Sequence, residues 1–165
     1  MNIFNKDKLL YKGFESNLSK REITNLFHTD FLGSDDFIKL YSVFDGVDFM
    51  REAKMFRSTF YKVQKGELNQ IGISFFLKLK DIISEKEYKR DLSKEHKSFI
   101  DIHIPFADDG CGNTIWIDTS TGLIKQLEHE EEFKDAVTLV APSFSEFCLS
   151  LEDNDPNWIK PIYEN

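Results

Sequence analysis

Phenylalanine occurs 16 times in the 165 residues of this chain. Large flat rings in this number favour a core packed between a sheet and helices, rather than the Ala and Leu packing of a helical bundle. With 41% hydrophobic residues the chain can fill a sizeable core, and its length suits one domain better than two. The sequence therefore predicts a single mixed α+β domain.

Two helices are predicted in the first part of the chain. Ser19 and Glu22 have the spacing of a capping box, which begins a short helix. Ser34 is expected to cap a second helix, because two acids follow it and apolar residues then recur at helical spacing as far as Phe44. Gly46 can take the left-handed conformation that ends a helix, so we expect the helix to stop there.

The middle of the chain contains short β-favouring runs. Residues 55–63 and 71–76 predict a hairpin whose turn contains Gly66. Apolar and polar residues alternate over 99–106, which predicts a strand with His103 on its polar side. Pro105 is expected to end this strand or to place it at a sheet edge, because proline cannot donate to a strand ladder.

The remaining elements are a helix over residues 79–92, a second hairpin and a closing helix. Residues 113–118 and 123–127 form the hairpin, with a Thr-Ser-Thr-Gly turn between them. Ser143 and Glu146 again have capping-box spacing. The closing helix is expected to bury one face, formed by Phe144, Phe147, Cys148 and Leu151.

The segment 106–118, FADDGCGNTIWID, is a candidate metal, phosphate or cysteine site. Its acids and glycines are not in the order of a calcium loop, and it lacks the third glycine and following helix of a dinucleotide site. Acid-rich surroundings disfavour the thiolate that a nucleophilic Cys111 would need. The run 128–132, EHEEE, lacks the paired histidines of zinc proteases. These patterns predict no catalytic residue, no metal and no cofactor.

A turn is the remaining interpretation of this segment. Gly110 and Gly112 can adopt positive φ without steric cost, and Asp109 and Asn113 can hydrogen-bond to nearby amides. We therefore expect the segment to reverse the chain between two strands.

Charge is unevenly distributed along the chain, whose net charge is −8. Residues 1–100 contain 18 Lys and Arg against 15 Asp and Glu, whereas residues 101–165 contain 3 against 14. Such a field repels nucleic acid and speeds association with a cationic partner, although solubility alone would also explain the charge.

No apolar run is long enough for a signal peptide or a membrane span. The two cysteines are expected to be free thiols, so the sequence predicts a cytoplasmic protein.

In their order and spacing, four segments resemble the SUKH superfamily, which unites Knr-type yeast cell-wall regulators with bacterial toxin-immunity proteins. The segments are YSVFDG at 41–46, IPFADDGCGNTIWID at 104–118, LEHE at 127–130 and APSFSEFCLSL at 141–151. The resemblance spans about 18–152, which leaves 1–17 as an N-terminal extension and 153–165 as a tail. The positions that match the family pattern are Gly46, Asp109, Gly110, Gly112, Asn113, Asp118, His129, Ser143, Phe144 and Phe147.

The resemblance implies a central, largely antiparallel sheet of about six strands with helices packed against it, and no enzyme activity. It also implies an immunity protein, a monomer or weak homo-oligomer, that neutralises a cognate toxin domain, in some cases a nuclease. The alternative is a regulatory interaction module with a partner other than a toxin. A basic partner would be contacted by acidic residues, for which the candidates are Asp108, Asp109, Glu128, Glu130, Glu131, Glu132 and Asp135.

Overall fold

Eight strands form one antiparallel sheet in the computed structural model of this protein, which describes residues 3–155. Seven of them lie in chain order from β1 to β7, and β8 pairs with β2 on the side where β1 also lies. Each hydrogen-bonded pair is antiparallel. The strands are β1 Tyr11–Glu15, β2 Phe44–Phe56, β3 Gln70–Phe76, β4 His103–Asp108, β5 Thr114–Asp118, β6 Ile124–Leu127, β7 Val137–Ala141 and β8 Glu152–Asp153.

Six α-helices accompany this sheet within residues 3–155. The predicted capping box is confirmed at the first, where the Ser19 hydroxyl accepts from the Glu22 amide at 3.2 Å and the Glu22 carboxylate accepts from the Ser19 amide at 2.8 Å. The predicted helix over 79–92 is also present. The helices are α1 Lys20–Thr24, α2 Ser34–Val43, α3 Leu79–Arg90, α4 Lys94–Asp101, α5 Phe133–Ala136 and α6 Phe144–Ser150.

The antiparallel sheet with its helices confirms the predicted α+β class, and phenylalanine rings dominate the main core. The rings of Phe76 and Phe106 meet edge to face at 5.3 Å, and Phe106 meets Phe144 of α6 at 5.2 Å. Edge-to-face contacts of this kind add to the free energy of burial. In a smaller cluster on the opposite sheet face, Phe99 and Ile100 of α4 and Ala136 of α5 pack with Trp116 and Leu127 of the sheet.

The first predicted hairpin is correct in its pairing but wrong in its first strand. β2 begins at Phe44 and ends at Phe56, so most of residues 55–63 lie outside the sheet. Residues 57–59 instead form a 3-10 turn, in which the Phe60 amide donates to the Arg57 carbonyl at 3.0 Å. The Arg57 guanidinium donates to the Leu68 and Leu139 carbonyls. Gly66 has φ +93° in the connection, as predicted.

Helix α2 differs from the prediction at both ends. Its N-cap is Gly33, with φ +90° and no side-chain cap, and Ser34 is the first helical residue. The helix ends at Val43, so Gly46 does not stop it. Gly46 does have φ +95°, but within β2, where an added Cβ would lie 3.1 Å from the Phe76 carbonyl oxygen.

The predicted strand over 99–106 is helical in its first part. Ser93 caps α4, and Phe99 and Ile100 are buried on that helix while Ile102 is exposed. The strand β4 therefore begins at His103, which is buried rather than on a solvated side.

Pro105 neither ends this strand nor lies in an edge strand. It pairs with Trp116 of β5, whereas β4 meets β3 only at Ala107 and Asp108, so no donor is needed from Pro105 on the β3 side.

The second hairpin and the closing helix are confirmed. Gly122, with φ +83°, donates from its amide to the Asp118 carbonyl at 2.7 Å and closes the turn between β5 and β6. The Ser143 hydroxyl accepts from the Glu146 amide at 3.2 Å at the start of α6. The four residues of the predicted apolar face are all fully buried, namely Phe144, Phe147, Cys148 and Leu151.

The chain ends contribute to the sheet as well. Residues 1–17, predicted as an extension, include β1 and the buried side chains of Ile3, Phe4 and Leu9. β8 lies at the start of the predicted tail, and residues 156–165 of that tail lie outside the described residues. The division into extension, domain and tail stays a prediction.

Candidate functional site

The turn between β4 and β5 is organised by the carboxylate of Asp109. One oxygen accepts from the Cys111 amide at 2.7 Å and from the Asn113 amide at 3.1 Å, and the other accepts from the Asn113 side chain at 2.7 Å. The Asp109 amide donates to the Asn113 carbonyl at 3.1 Å. Asp109 is half-buried, and its side chain is committed to holding the turn.

Both glycines of this turn are required by its geometry. Gly110 has φ +83° and Gly112 has φ +102°, which are conformations that other residues rarely adopt. A Cβ on Gly110 would lie 2.9 Å from the Ser74 hydroxyl, and one on Gly112 would lie 3.2 Å from the His129 ring. The predicted turn is therefore present, and it packs closely against two other segments.

Asn113 and His129 join this turn to the loop that follows β6. The side-chain oxygen of Asn113 accepts from the His129 amide at 3.1 Å and lies 3.1 Å from Nδ1 of the same ring. A cavity of about 400 Å³ lies where the two segments meet. It is lined by Cys111, Asn113, Glu128, His129, Glu130 and Glu131.

Five carboxylates, four of them exposed, surround this junction. The loop and short helix over 128–135 contain five acids and one lysine, Lys134, which lies 3.2 Å from Glu132 and 4.0 Å from Asp135. The Glu128 amide donates to the Ala136 carbonyl at 2.9 Å and closes the segment on itself. We define the acidic surface by its five carboxylates, Glu128, Glu130, Glu131, Glu132 and Asp135.

Asp108 differs from these acids in its surroundings. Its carboxylate is half-buried and accepts from the Gly110 amide at 2.6 Å. Burial raises the pKa of Asp108, although that hydrogen bond and the charge of Lys89 on α3 act against the rise. Of the seven acids predicted to contact a partner, the four that are exposed are Glu130, Glu131, Glu132 and Asp135.

A second polar cluster, which the sequence did not predict, surrounds Asp118 on the sheet. The Asp118 carboxylate accepts from the Ser120 hydroxyl at 2.6 Å and from the Lys125 ammonium at 2.9 Å. Burial opposes ionisation, but these hydrogen bonds outweigh it and hold the pKa of Asp118 well below its usual range. Asp118 was expected from the family pattern, whereas Lys125 becomes its neighbour only through the hairpin between β5 and β6.

His103 completes this cluster as a neutral ring. Its Nδ1 donates to the Phe99 carbonyl at 2.6 Å, which leaves Nε2 to accept from Lys125 at 3.0 Å. Burial lowers the pKa of His103 to about 4, because it outweighs the hydrogen bond to Phe99, and the charge of Lys125 acts in the same direction. Through Lys125 of β6, the cluster links His103 of β4 to Asp118 of β5.

Neither metal nor membrane features are found in the part of the chain that the structure describes. Among residues 3–155, no group of three or more His, Cys, Asp or Glu side chains is placed to hold a metal ion. Within the same residues, no helix has both the length and the apolar character needed to cross a bilayer.

A family model described as SMI1 / KNR4 family (SUKH-1) matches residues 31–150. The match runs from the end of the α1–α2 linker to the end of α6, and it includes both the Asp109 turn and the acidic surface. No curated protein and no solved structure gives a significant match to the chain. Domains of this family are generally non-catalytic, with protein-interaction or immunity-type roles. Because the matched residues make up most of the chain, the protein belongs to the SMI1/KNR4 family (SUKH-1).

Proposed function

We propose that this protein is a non-enzymatic immunity protein that binds and neutralises a cognate bacterial toxin domain through its acidic surface. The observation that carries the proposal is the exposed group of carboxylates on residues 128–135, tied to the Asp109 turn by Asn113 and His129. Membership of the family supports an interaction role of this general kind.

The acidic surface suits a basic partner for two physical reasons. Its carboxylates greatly outnumber its cations, so the field steers a positively charged protein toward it and speeds encounter. The surface is also held in place, since hydrogen bonds fix both ends of the segment at His129 and at Ala136. A preorganised surface loses less conformational entropy on binding.

Neutralisation follows if the acidic surface covers the toxin's active cleft. A nuclease is the clearest class of target, because its cleft must be cationic to hold a polyanion. Carboxylates placed over such a cleft would compete with phosphate groups for the same Lys and Arg side chains. The inhibition would then be stoichiometric and would require no chemistry from this protein.

The test is co-expression with the toxin domain encoded beside this protein's gene. The variant Glu130→Lys, Glu131→Lys, Asp135→Lys reverses three exposed charges of the acidic surface. A matched control, Glu15→Lys, Asp30→Lys, Asp91→Lys, makes the same change in net charge at exposed sites elsewhere. We expect the control to protect cells like the wild type and the acidic-surface variant to lose protection.

Purified proteins give the quantitative result. The wild type and the control variant should co-elute with the toxin domain, with an association rate that falls as salt rises. The acidic-surface variant should bind at least about tenfold more weakly, since each desolvated charge pair contributes on the order of 1 kcal/mol or more. A wild type that leaves the toxin lethal and forms no complex would refute the proposal, and equal loss in both variants would refute the role of this surface.

A further inference from the structure

We propose that a groove beside α3 binds a small amphipathic anion, with an apolar body and a single carboxylate. The groove consists of two adjoining cavities of about 530 and 260 Å³, which share the lining residues Leu26, His28, Lys86 and Asp101. The larger volume lies in the usual range of small-molecule sites. None of the lining residues belongs to the acidic surface, so this site is separate from the one proposed above.

Aliphatic side chains from three segments form the apolar part of the groove. Leu26 comes from the linker after α1, Ile83 from α3 and Ile100 from the last turn of α4. Ile83 is 45% exposed and lines the larger cavity, so its side chain is accessible to a ligand there. Leu26 and Ile83 present apolar surface to a hydrocarbon chain or ring, and Ile100, which is 1% exposed, lies behind them.

Lys86 is the charged group that selects the ligand. It is half-buried and lines both cavities, and it makes no hydrogen bond or ion pair with any residue in the range 3–155. Burial lowers the pKa of Lys86, while the charge of Asp101 acts in the opposite direction. A buried charge of this kind is stabilised by an ion of opposite sign.

The neighbouring charges leave Lys86 available. Lys89, one turn of α3 away, is 3.6 Å from Glu85, and Arg90 is 3.0 Å from Asp101. The charge of Asp101 also acts on Lys86, but its carboxylate is already held by Arg90. A carboxylate in the groove would therefore find one cation without a bonded partner beside an apolar wall.

The test uses sodium decanoate as the probe, below its micelle concentration, with the folded full-length protein. Decanoate is added to ¹⁵N-labelled protein, and we expect amide shifts confined to the α1–α2 linker, α3 and the end of α4. Two controls carry a ten-carbon chain as well: decylammonium has a positive charge, and decanol has no charge. The anion should bind at least about tenfold more tightly than either, as a charge-assisted hydrogen bond would give.

Two variants separate the charge from the apolar wall. Lys86→Met keeps the length of the side chain and removes its charge, and should weaken decanoate binding about tenfold or more. Lys97→Met, at an exposed lysine of α4 outside the groove, should leave binding unchanged. Ile83→Glu changes an exposed position and should abolish binding without unfolding the protein.

The proposal is overturned by any of three results. The first is an absence of localised shifts with wild type at millimolar decanoate. The second is equal affinity of decanoate for the wild type and Lys86→Met. The third is equal affinity of the wild type for decanoate and decylammonium, which would show that Lys86 does not select the charge.

Discussion

His103 makes the stability of the fold depend on pH in a range where few other side chains titrate. The ring is buried and neutral, and its pKa is lowered from 6.5 to about 4 by burial. A folded-state pKa below the unfolded value means that the unfolded chain binds a proton more readily. The contribution of neutral His103 to the free energy of unfolding is therefore fully present above pH 6.5 and is lost as the pH falls toward 4.

The size of this loss follows from the difference between the two pKa values. Complete protonation would remove about 3 kcal/mol, and the step from pH 7 to pH 5 alone would remove about 2 kcal/mol. In the neutral state, His103 Nε2 accepts a hydrogen bond from the Lys125 ammonium at 3.0 Å. Protonation would remove this bond and place two positive charges at that distance.

The assay is urea unfolding at pH 7, 6 and 5 for the wild type and for His103→Gln. Glutamine does not titrate, so the wild type should lose about 2 kcal/mol more than the variant over this range. His28→Gln, which changes an exposed histidine, should retain the wild-type slope. Parallel pH profiles for the wild type and His103→Gln, or an NMR titration in which the His103 ring gains its proton near pH 6.5, would refute the reasoning.

Three further predictions concern the turn, a buried glycine and the two thiols. Asn113→Ala removes the side-chain links to Asp109 and His129 and should lower the free energy of unfolding by about 2 kcal/mol in thermal melts. Gly122→Ala would place a Cβ 2.6 Å from the Leu32 carbonyl oxygen and should lower the free energy of unfolding by about 3 kcal/mol or more. Gly66→Ala, with open space around it, should lower it by about 1 kcal/mol. Equal losses of the two variants in urea unfolding would contradict this. A thiol reagent should modify the exposed Cys111 in the native protein and the buried Cys148 only after unfolding, where burial no longer raises its pKa; two fast-reacting thiols in the native state would be the opposite result.

Local features of this fold could be predicted from the sequence because their causes are local. The capping box at Ser19 and Glu22 lies within four residues, and the positive φ of Gly110 and Gly112 follows from the residue type. The order of the family motifs in the second half of the chain likewise needs no knowledge of the fold. These signals were enough to place the Asp109 turn and the second hairpin.

Features that depend on distant contacts could not be predicted. The run over 99–106 has apolar residues compatible with either a helix or a strand. Its first part is helical where Phe99 and Ile100 pack with Trp116 and Leu127, which are distant in the sequence. The N-cap of α3, Lys78, provides no capping hydrogen bond, and Asp45, 34 residues before Leu79, accepts from the Leu79 amide at 2.7 Å instead. The Asn113 to His129 contact likewise requires the register between β5 and β6.

The bond from Arg57 to the Leu139 carbonyl has a consequence for the protein at high concentration. Leu139 lies on β7, the last strand in the sheet order, and Arg57, in the 3-10 turn that follows β2, donates to its carbonyl at 2.6 Å. An unpaired carbonyl on an edge strand is a site where a second chain can add a strand and start aggregation. With that carbonyl already occupied by a charged side chain, an added strand cannot hydrogen-bond to β7 at this position.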